Sequence, residues 1–268
     1  MSKTQKLALD LLMGLVVPVA ILKYGTAPLG TLPAYLLAAL IPVAYVLLDL
    51  LVITRRFNFI TSYGGLSAVI RGALAFWYVD GVLFAFKDSV SYLFAVLVFG
   101  GSYFLAKPVT RAIAVQGLSP ETPEQTASLD ALLSEPPVLR ALRQSTLIIA
   151  ATNLLCGAAN YMINFRMVTA PFNTPEFNDQ VANVNAITRI VLVIPDMIAL
   201  YFAFSLMYKA LYSMLPPPVP GVKEENFWDL VRQRDEAIAG EHGRAGENTA
   251  AAGMLANRQA REEFGLPR

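Results

Sequence analysis

The sequence predicts an all-α integral membrane protein, a six-helix transmembrane bundle with a cytoplasmic loop and a C-terminal tail. Of its 268 residues 55% are hydrophobic, the mean hydropathy is +0.49, and only 15% are charged, against roughly 25% in an ordinary soluble domain. Six apolar stretches come close to the about 20 residues that a helix needs to cross the hydrocarbon of a bilayer. Charge is concentrated at the end of the chain, since residues 214–268 hold 16 of the 41 charged side chains.

The six spans are predicted within residues 1–213, at 7–22, 32–53, 57–79, 89–106, 146–164 and 186–211. The first span follows Lys3 and Lys6 like a signal sequence, but no cleavage site of small residues follows near Ala20, so we expect a retained helix. The third span is the least hydrophobic. Its glycines, Gly64, Gly65 and Gly72, favour close packing against other helices.

The distribution of basic residues predicts that both termini are cytoplasmic, because loops on the cytoplasmic side carry an excess of lysine and arginine. With that orientation the outer flanks of the spans carry only Lys23, Lys87 and Arg166, with Arg189 at the start of the sixth span and Arg71 inside the third. The inner flanks collect nine basic residues, which are Lys3, Lys6, Arg55, Arg56, Lys107, Arg111, Arg140, Arg143 and Lys209.

The cytoplasmic loop is predicted at residues 107–144. Thr122-Pro123-Glu124-Gln125 has the spacing of a capping box with proline at the first helical position, which predicts a short helix through Leu133. Pro136-Pro137 should end that helix. The following segment is amphipathic, with leucines beside Arg140 and Arg143, and two interpretations stay open: a helix on the inner leaflet, or a connector with a solvated basic face.

The cytoplasmic tail is predicted at residues 214–268. Residues 224–238 have the pattern of a short amphipathic helix whose candidate partner-binding side chains are Phe227, Trp228, Leu230 and Val231. The glycine-rich and charged remainder is typical of a mobile end. Seven basic and nine acidic residues give the tail a net charge of −2, which argues against a nucleic-acid partner.

Ionisable residues inside spans are expensive and are therefore candidates for function. Arg71 and Asp196 are expected at similar depth, where they form either a structural ion pair or a site for a solute or proton. Asn153, Asn160 and Asn164 lie on one face of the fifth span, where hydrogen bonding between helices and ligand contact are both possible. These five residues form the predicted intramembrane polar cluster.

Other polar and proline residues have simpler interpretations. Asp10 and Asp49 are expected to pair with Lys6, Arg55 or Arg56 near the inner ends of their spans. The prolines of the spans, Pro18, Pro42 and Pro195, should kink their helices. Residues 172–185 are predicted to form a polar outer loop.

The sequence offers little for catalysis. With one cysteine and one histidine, Cys156 and His242, it predicts no metal site, no disulfide and no cofactor. We find no nucleophile elbow and no phosphate-binding glycine loop. These observations argue against an enzyme.

The layout resembles that of the bacterial intracellular septation protein A-like family over residues 5–213. The resemblance rests on an N-terminal hairpin with Asp10 and Pro18, the Arg55-Arg56 pair, the Asp80-Gly81 turn and a fourth span that ends in Lys107-Pro108. It implies a multi-pass protein of the bacterial inner membrane, linked to envelope maintenance or cell division. It implies no catalytic residues.

Two functions follow as hypotheses. The first is a non-enzymatic scaffold or accessory subunit, embedded in the lipid bilayer, that binds a protein partner through its tail. The alternative is a small-solute or ion transporter with its site around Arg71 and Asp196. The sequence sets neither the oligomeric state nor the identity of a partner.

Overall fold

The structure is a computed structural model that describes residues 3–54, 59–217 and 226–240. Across those ranges the chain is helical with short turns and has no strand, which confirms the all-α fold class. In chain order the helices are α1 (Lys3–Leu11), α2 (Val17–Ala20), α3 (Thr26–Leu29), α4 (Thr31–Leu48), α5 (Phe59–Ala75), α6 (Gly81–Tyr103), α7 (Val109–Leu118), α8 (Pro123–Leu132), α9 (Pro136–Met167), α10 (Pro175–Val191), α11 (Val193–Tyr212) and α12 (227–240).

Five helical segments of the described chain are long and apolar enough to cross a membrane. They are Ala8–Leu29, Thr31–Val52, Gly81–Tyr103, Pro136–Met167 and Pro175–Tyr212. Large apolar side chains point outward from them, such as Leu97 at 64% exposure and Leu155 at 71%. Outward-facing apolar side chains are what a lipid-facing surface requires. The chain therefore has the helices of a multi-pass membrane protein.

The predicted third span forms a shorter helix than expected. Helix α5 has 17 residues, which corresponds to about 26 Å at about 1.5 Å per residue, and it is not among the five segments. A Cβ atom added to Gly72 would lie 3.2 Å from Val43 Cγ1, and one added to Gly65 would lie 2.7 Å from Leu50 Cδ2. The small residues therefore let α5 approach the preceding helical segment closely, as expected.

The first segment is not a regular α-helix. Two π-helical turns, Leu12–Val16 and Ile21–Gly25, separate α1, α2 and α3. The first turn directly precedes the helix that holds Pro18, whose missing N–H and bulky ring disturb the normal hydrogen-bond ladder. Gly30 then has a φ of +88°, a conformation that glycine adopts without strain, and it turns the chain into α4.

The predicted outer loop at 172–185 is largely helical, which corrects that prediction. Thr174 caps α10, since its hydroxyl accepts from the Phe177 N–H at 3.1 Å, and Pro175 takes the first helical position. Phe177 and Asn178 are fully buried. The Asn178 amide donates to Thr26 Oγ1 at 3.0 Å, which anchors α10 to α3. The sequence Thr174-Pro175-Glu176 indicates a helix start, but the polar composition of residues 172–185 favoured the prediction of a loop.

The described chain divides into two compact units. Unit 1 comprises residues 1–119 and 139–207, and unit 2 comprises 120–138 and 208–268. In unit 2 the predicted capping box forms, with the Gln125 N–H donating to Thr122 Oγ1 at 3.2 Å. Pro136-Pro137 begins the next helix rather than only ending α8, so the amphipathic segment and the predicted fifth span form one helix of 32 residues.

Unit 2 also contains α12, the predicted amphipathic helix. Leu230 and Val231 are 5% and 2% exposed, so they belong to the core of this unit and are not free to bind a partner. Arg234 forms an ion pair with Glu135. Phe227 and Trp228 are half-buried, with their rings 5.2 Å apart. The predicted mobile end, from residue 241 onward, lies outside the described residues.

A charged cavity in unit 1

A cavity of about 310 Å³ lies among the helices of unit 1. The wall is formed by α2, α4, α5, α6, α9, α10 and α11 together with the π-helical turns of the first segment. Its polar side chains include Arg71, Lys87, Asp88, Asn160, Arg189 and Asp196. Three cationic and two acidic side chains line the cavity, so its wall carries one positive charge in excess when all five are ionised.

Arg71 and Asp196 line this same cavity but are not joined by an ion pair within the described chain, so the structure does not show the ion-pair alternative. The Arg71 Nε–H donates to Ser91 Oγ at 2.7 Å. Asp196 Oδ1 accepts from the Cys156 thiol at 3.5 Å. Each charged group therefore has a neutral hydrogen-bond partner, and the sequence did not predict the direction in which the two side chains point.

The asparagines of α9 divide into two groups. Asn160 and Asn164 both donate to Asp88 Oδ2, at 3.0 and 2.9 Å, and Asn160 also donates to Ser89 Oγ at 3.1 Å. Asn153 instead donates to the carbonyl of Ile149 in its own helix, at 2.9 Å, and takes no part in the cavity wall. We call the three-residue contact between α6 and α9, Asp88 with Asn160 and Asn164, the Asp88 clamp.

Sequence reasoning missed Asp88 because the fourth span was predicted to begin at Ser89. The helix in fact begins at Gly81, which brings Asp88 onto its second turn. The Asp80-Gly81 turn was visible in the sequence and could have marked that start. Lys87 and Asp88 interrupt the hydropathy pattern, so the predicted span began after them although the residues before them are apolar and helical.

Lys87 was predicted on the outer flank of a span, yet only 6% of it is exposed. Its ammonium donates to Tyr35 Oη at 2.8 Å and to the carbonyl oxygen of Trp77 at 2.6 Å. It also lies 5.3 Å from the centre of the Tyr35 ring and 5.4 Å from that of Phe84, which are cation–π distances. Two hydrogen bonds and two rings thus replace the water that the ammonium loses.

Arg189 was noted at the start of the sixth span without being proposed as a site residue. Its guanidinium forms no hydrogen bond or ion pair with any residue that the structure describes. It points toward the first π-helical turn, because a Cβ atom added to Gly14 would lie 3.7 Å from Arg189 Nη1. The charged side chains close enough to act on it electrostatically are Arg71 and Asp88. Arg189 is therefore an exposed cation at the cavity, with Asp88 as an acidic neighbour but with no ion pair within the described chain.

Asp10, in α1, accepts a hydrogen bond from Tyr45 Oη. The predicted partners Arg55 and Arg56, and the side chain of Lys6, lie outside the described residues. Over the part of the chain that is described, no group of three or more histidine, cysteine or acidic side chains could hold a metal ion.

Comparison with known proteins finds no protein-family model, no curated protein and no solved structure that matches this chain.

Proposed function

We propose that the chain is a membrane transporter that binds a small solute in the cavity of unit 1. The observation that carries this proposal is the guanidinium of Arg189, unpaired within the described chain, at a cavity of about 310 Å³ that Arg71 and Asp196 also line. A charge inside a membrane protein normally has a partner, because an uncompensated charge away from water is costly. A transported solute of opposite charge would be such a partner, because it binds and then leaves.

Irregular helices around the cavity support the same proposal. Gly14 belongs to a π-helical turn, and Pro18 and Pro42 interrupt the hydrogen bonding of their helices. Leu192, which separates α10 from α11, also lines the cavity. Interrupted helices at a site near the middle of the membrane are a recurrent feature of secondary transporters, since the freed backbone groups bind the solute and the breaks allow movement.

The proposed topology has six spans, with α5 as the shortest. An even number of spans places both termini on one side, and the distribution of lysine and arginine favours the cytoplasm. Location in a bacterial inner membrane and membership of the septation protein A-like family stay predictions that rest on the layout of the sequence.

The scaffold hypothesis also stays a prediction. Two of its four candidate partner-binding side chains, Leu230 and Val231, are buried. Phe227 and Trp228 alone offer a partner little apolar area. The cavity has no comparable explanation within a scaffold, and we therefore favour the transporter.

The transporter proposal is tested by asking whether the cavity opens to both sides of the membrane. The only cysteine, Cys156, is replaced by serine, and Asn185→Cys adds a reporter at the cavity wall. Vesicles of known orientation are treated with a membrane-impermeant maleimide from the outside or from the inside. Leu97→Cys is the matched control, because Leu97 is an apolar surface residue of α6 that does not line the cavity.

A transporter should expose the reporter to each side in turn, so Asn185→Cys should react from both. Leu97→Cys should react from neither side if it faces lipid. Reaction of the reporter from one side only would overturn alternating access and with it the proposed function.

A further inference from the structure

We infer that the solute is a small organic carboxylate with a single negative charge, bound between the guanidinium groups of Arg71 and Arg189. This inference rests on the proposed function, because it names the class of solute that the same cavity would carry.

The two guanidinium groups are available for a carboxylate. Among the described residues Arg71 uses only its Nε–H, for Ser91, which leaves its two terminal nitrogens for a two-pronged contact. Arg189 has all its N–H donors free with respect to the described residues. A planar guanidinium matches a carboxylate with two parallel hydrogen bonds, and such charge-assisted pairs are among the strongest that proteins make.

The acidic side chains of the cavity are already engaged elsewhere. Asp88 accepts from Asn160 and Asn164, and Asp196 accepts from Cys156. Neither forms an ion pair with an arginine in the described chain. The arginines are therefore left for an anion from outside.

The charge of the wall sets the charge of the solute. Three cationic and two acidic side chains leave an excess of one positive charge. A monoanion neutralises the cavity, a dianion leaves it negative and a cation adds to the repulsion between Arg71 and Arg189. Arg71 and Arg189 are exposed, so the match rests on charge balance and not on desolvation, and the monoanion is the solute that leaves no net charge.

The volume of the cavity and its apolar wall residues indicate the size and character of the part of the solute beyond its carboxylate. A volume of about 310 Å³ is at the lower end of the roughly 300–1,000 Å³ of ligand pockets. Val19, Leu22 and Phe84 contribute apolar surface to the wall. We therefore expect a carboxylate with a short apolar body rather than inorganic phosphate, which has no apolar part.

Binding to the purified full-length protein in lipid nanodiscs tests the inference. The probes are isovalerate as an apolar monoanion, succinate as a dianion, inorganic phosphate and choline as a cation, each measured by equilibrium dialysis of the radiolabelled compound. We expect saturable binding of isovalerate, at least about tenfold weaker binding of the other three, and competition between isovalerate and other short-chain monocarboxylates.

Variants link the binding to the arginines. Arg189→Gln and Arg71→Gln should each weaken isovalerate binding by about tenfold or more, since each removes charge-assisted hydrogen bonds. Arg189→Lys should weaken isovalerate binding by an intermediate amount, because lysine keeps the positive charge but lacks the planar guanidinium that makes two parallel hydrogen bonds. Arg166→Gln is the matched control, because Arg166 is exposed in the last turn of α9, outside the cavity wall, and should leave binding unchanged.

The outcomes separate this inference from the proposed function. Isovalerate binding that needs both arginines, with the Asn185→Cys reporter open to one side only, would support the carboxylate site and refute transport. Preferred binding of choline, phosphate or succinate, binding of none of the probes, or isovalerate binding that survives both arginine variants would overturn the inference. Gel filtration of each variant shows whether it is folded. Because Arg71 and Arg189 are tested separately, the inference can still be tested if one of the two variants does not fold.

Discussion

Replacing Asp88 by alanine should loosen the contact between α6 and α9 by a predictable amount. Asp88 Oδ2 accepts from the amides of Asn160 and Asn164 at 3.0 and 2.9 Å, so the change removes two hydrogen bonds between helices. Each such bond contributes about 0.6 kcal/mol on average and at most about 1.7 kcal/mol in a membrane protein. Asp88→Ala should therefore lower the free energy of unfolding by about 1–3 kcal/mol.

The Asp88→Asn variant separates hydrogen bonding from charge. An asparagine keeps one carbonyl oxygen that accepts from both amides, so it should cost less than about 1 kcal/mol. Asp179→Ala is the matched control, because Asp179 is exposed and accepts only from Asn183 in its own helix. It should leave the stability unchanged.

The assay uses the single cysteine of the chain. Cys156 is 3% exposed and lies one helical turn from Asn160, so its reaction with a fluorogenic maleimide during heating reports the unfolding of α9. At about 2–4 °C per kcal/mol for a chain of this size, Asp88→Ala should lower the Tm by about 2–12 °C. An unchanged Tm for Asp88→Ala would refute the Asp88 clamp, and an equal loss for Asp88→Asn would show that the charge matters and the hydrogen bonds do not.

Two further predictions concern helix contacts and the cap of α8. Gly157→Leu should destabilise the protein by about 1–3 kcal/mol, because a Cβ atom there would lie 2.8 Å from Tyr92 Cβ, whereas Gly101→Leu, with open space around it, should be tolerated in the same maleimide assay. Glu124 has a lowered pKa because its carboxylate accepts from its own backbone N–H and from the Thr122 hydroxyl. Its contribution to stability is therefore present above its ordinary pKa and is lost as the pH falls through the lowered value. An NMR titration of the full-length protein should show the midpoint rising in Thr122→Ala, and an unchanged midpoint would contradict the assigned cap.

The sequence predicted the features that depend on composition along one helix. Apolar length located five of the expected spans, and the Thr122 capping box formed where the pattern placed it. Small residues in α5 correctly indicated close packing. Each of these depends on neighbours within a few residues, so local sequence carries the information.

The cavity was only partly predictable, because its composition depends on the rotation and the ends of several helices. Arg71, Asp196 and Asn160 all line the cavity, but within the described chain Arg71 and Asp196 do not form the ion pair that was one of the two alternatives. Asp88 was missed because α6 begins before the predicted fourth span, whereas Arg189 lies within the predicted sixth span but was not chosen as a site residue. An arginine at the start of a span was the signal for Arg189, and the helix extension that places it opposite Gly14 could not be read from hydropathy.

The two π-helical turns of the first segment have a consequence for how this segment tolerates changes in length. A π turn holds one more residue than the α-helix on either side, and one residue corresponds to about 100° of rotation. Deleting a single residue within Leu12–Val16 should convert that turn into a regular α turn. The side chains of α1 and α2, on either side of the turn, should then keep facing the helices they now contact. The same deletion in α4, which has no extra residue to lose between Thr31 and Leu48, would rotate everything that follows it. The segment therefore has two positions where the deletion of one amino acid should leave the packing of the flanking helices largely intact. Most membrane helices have no such position.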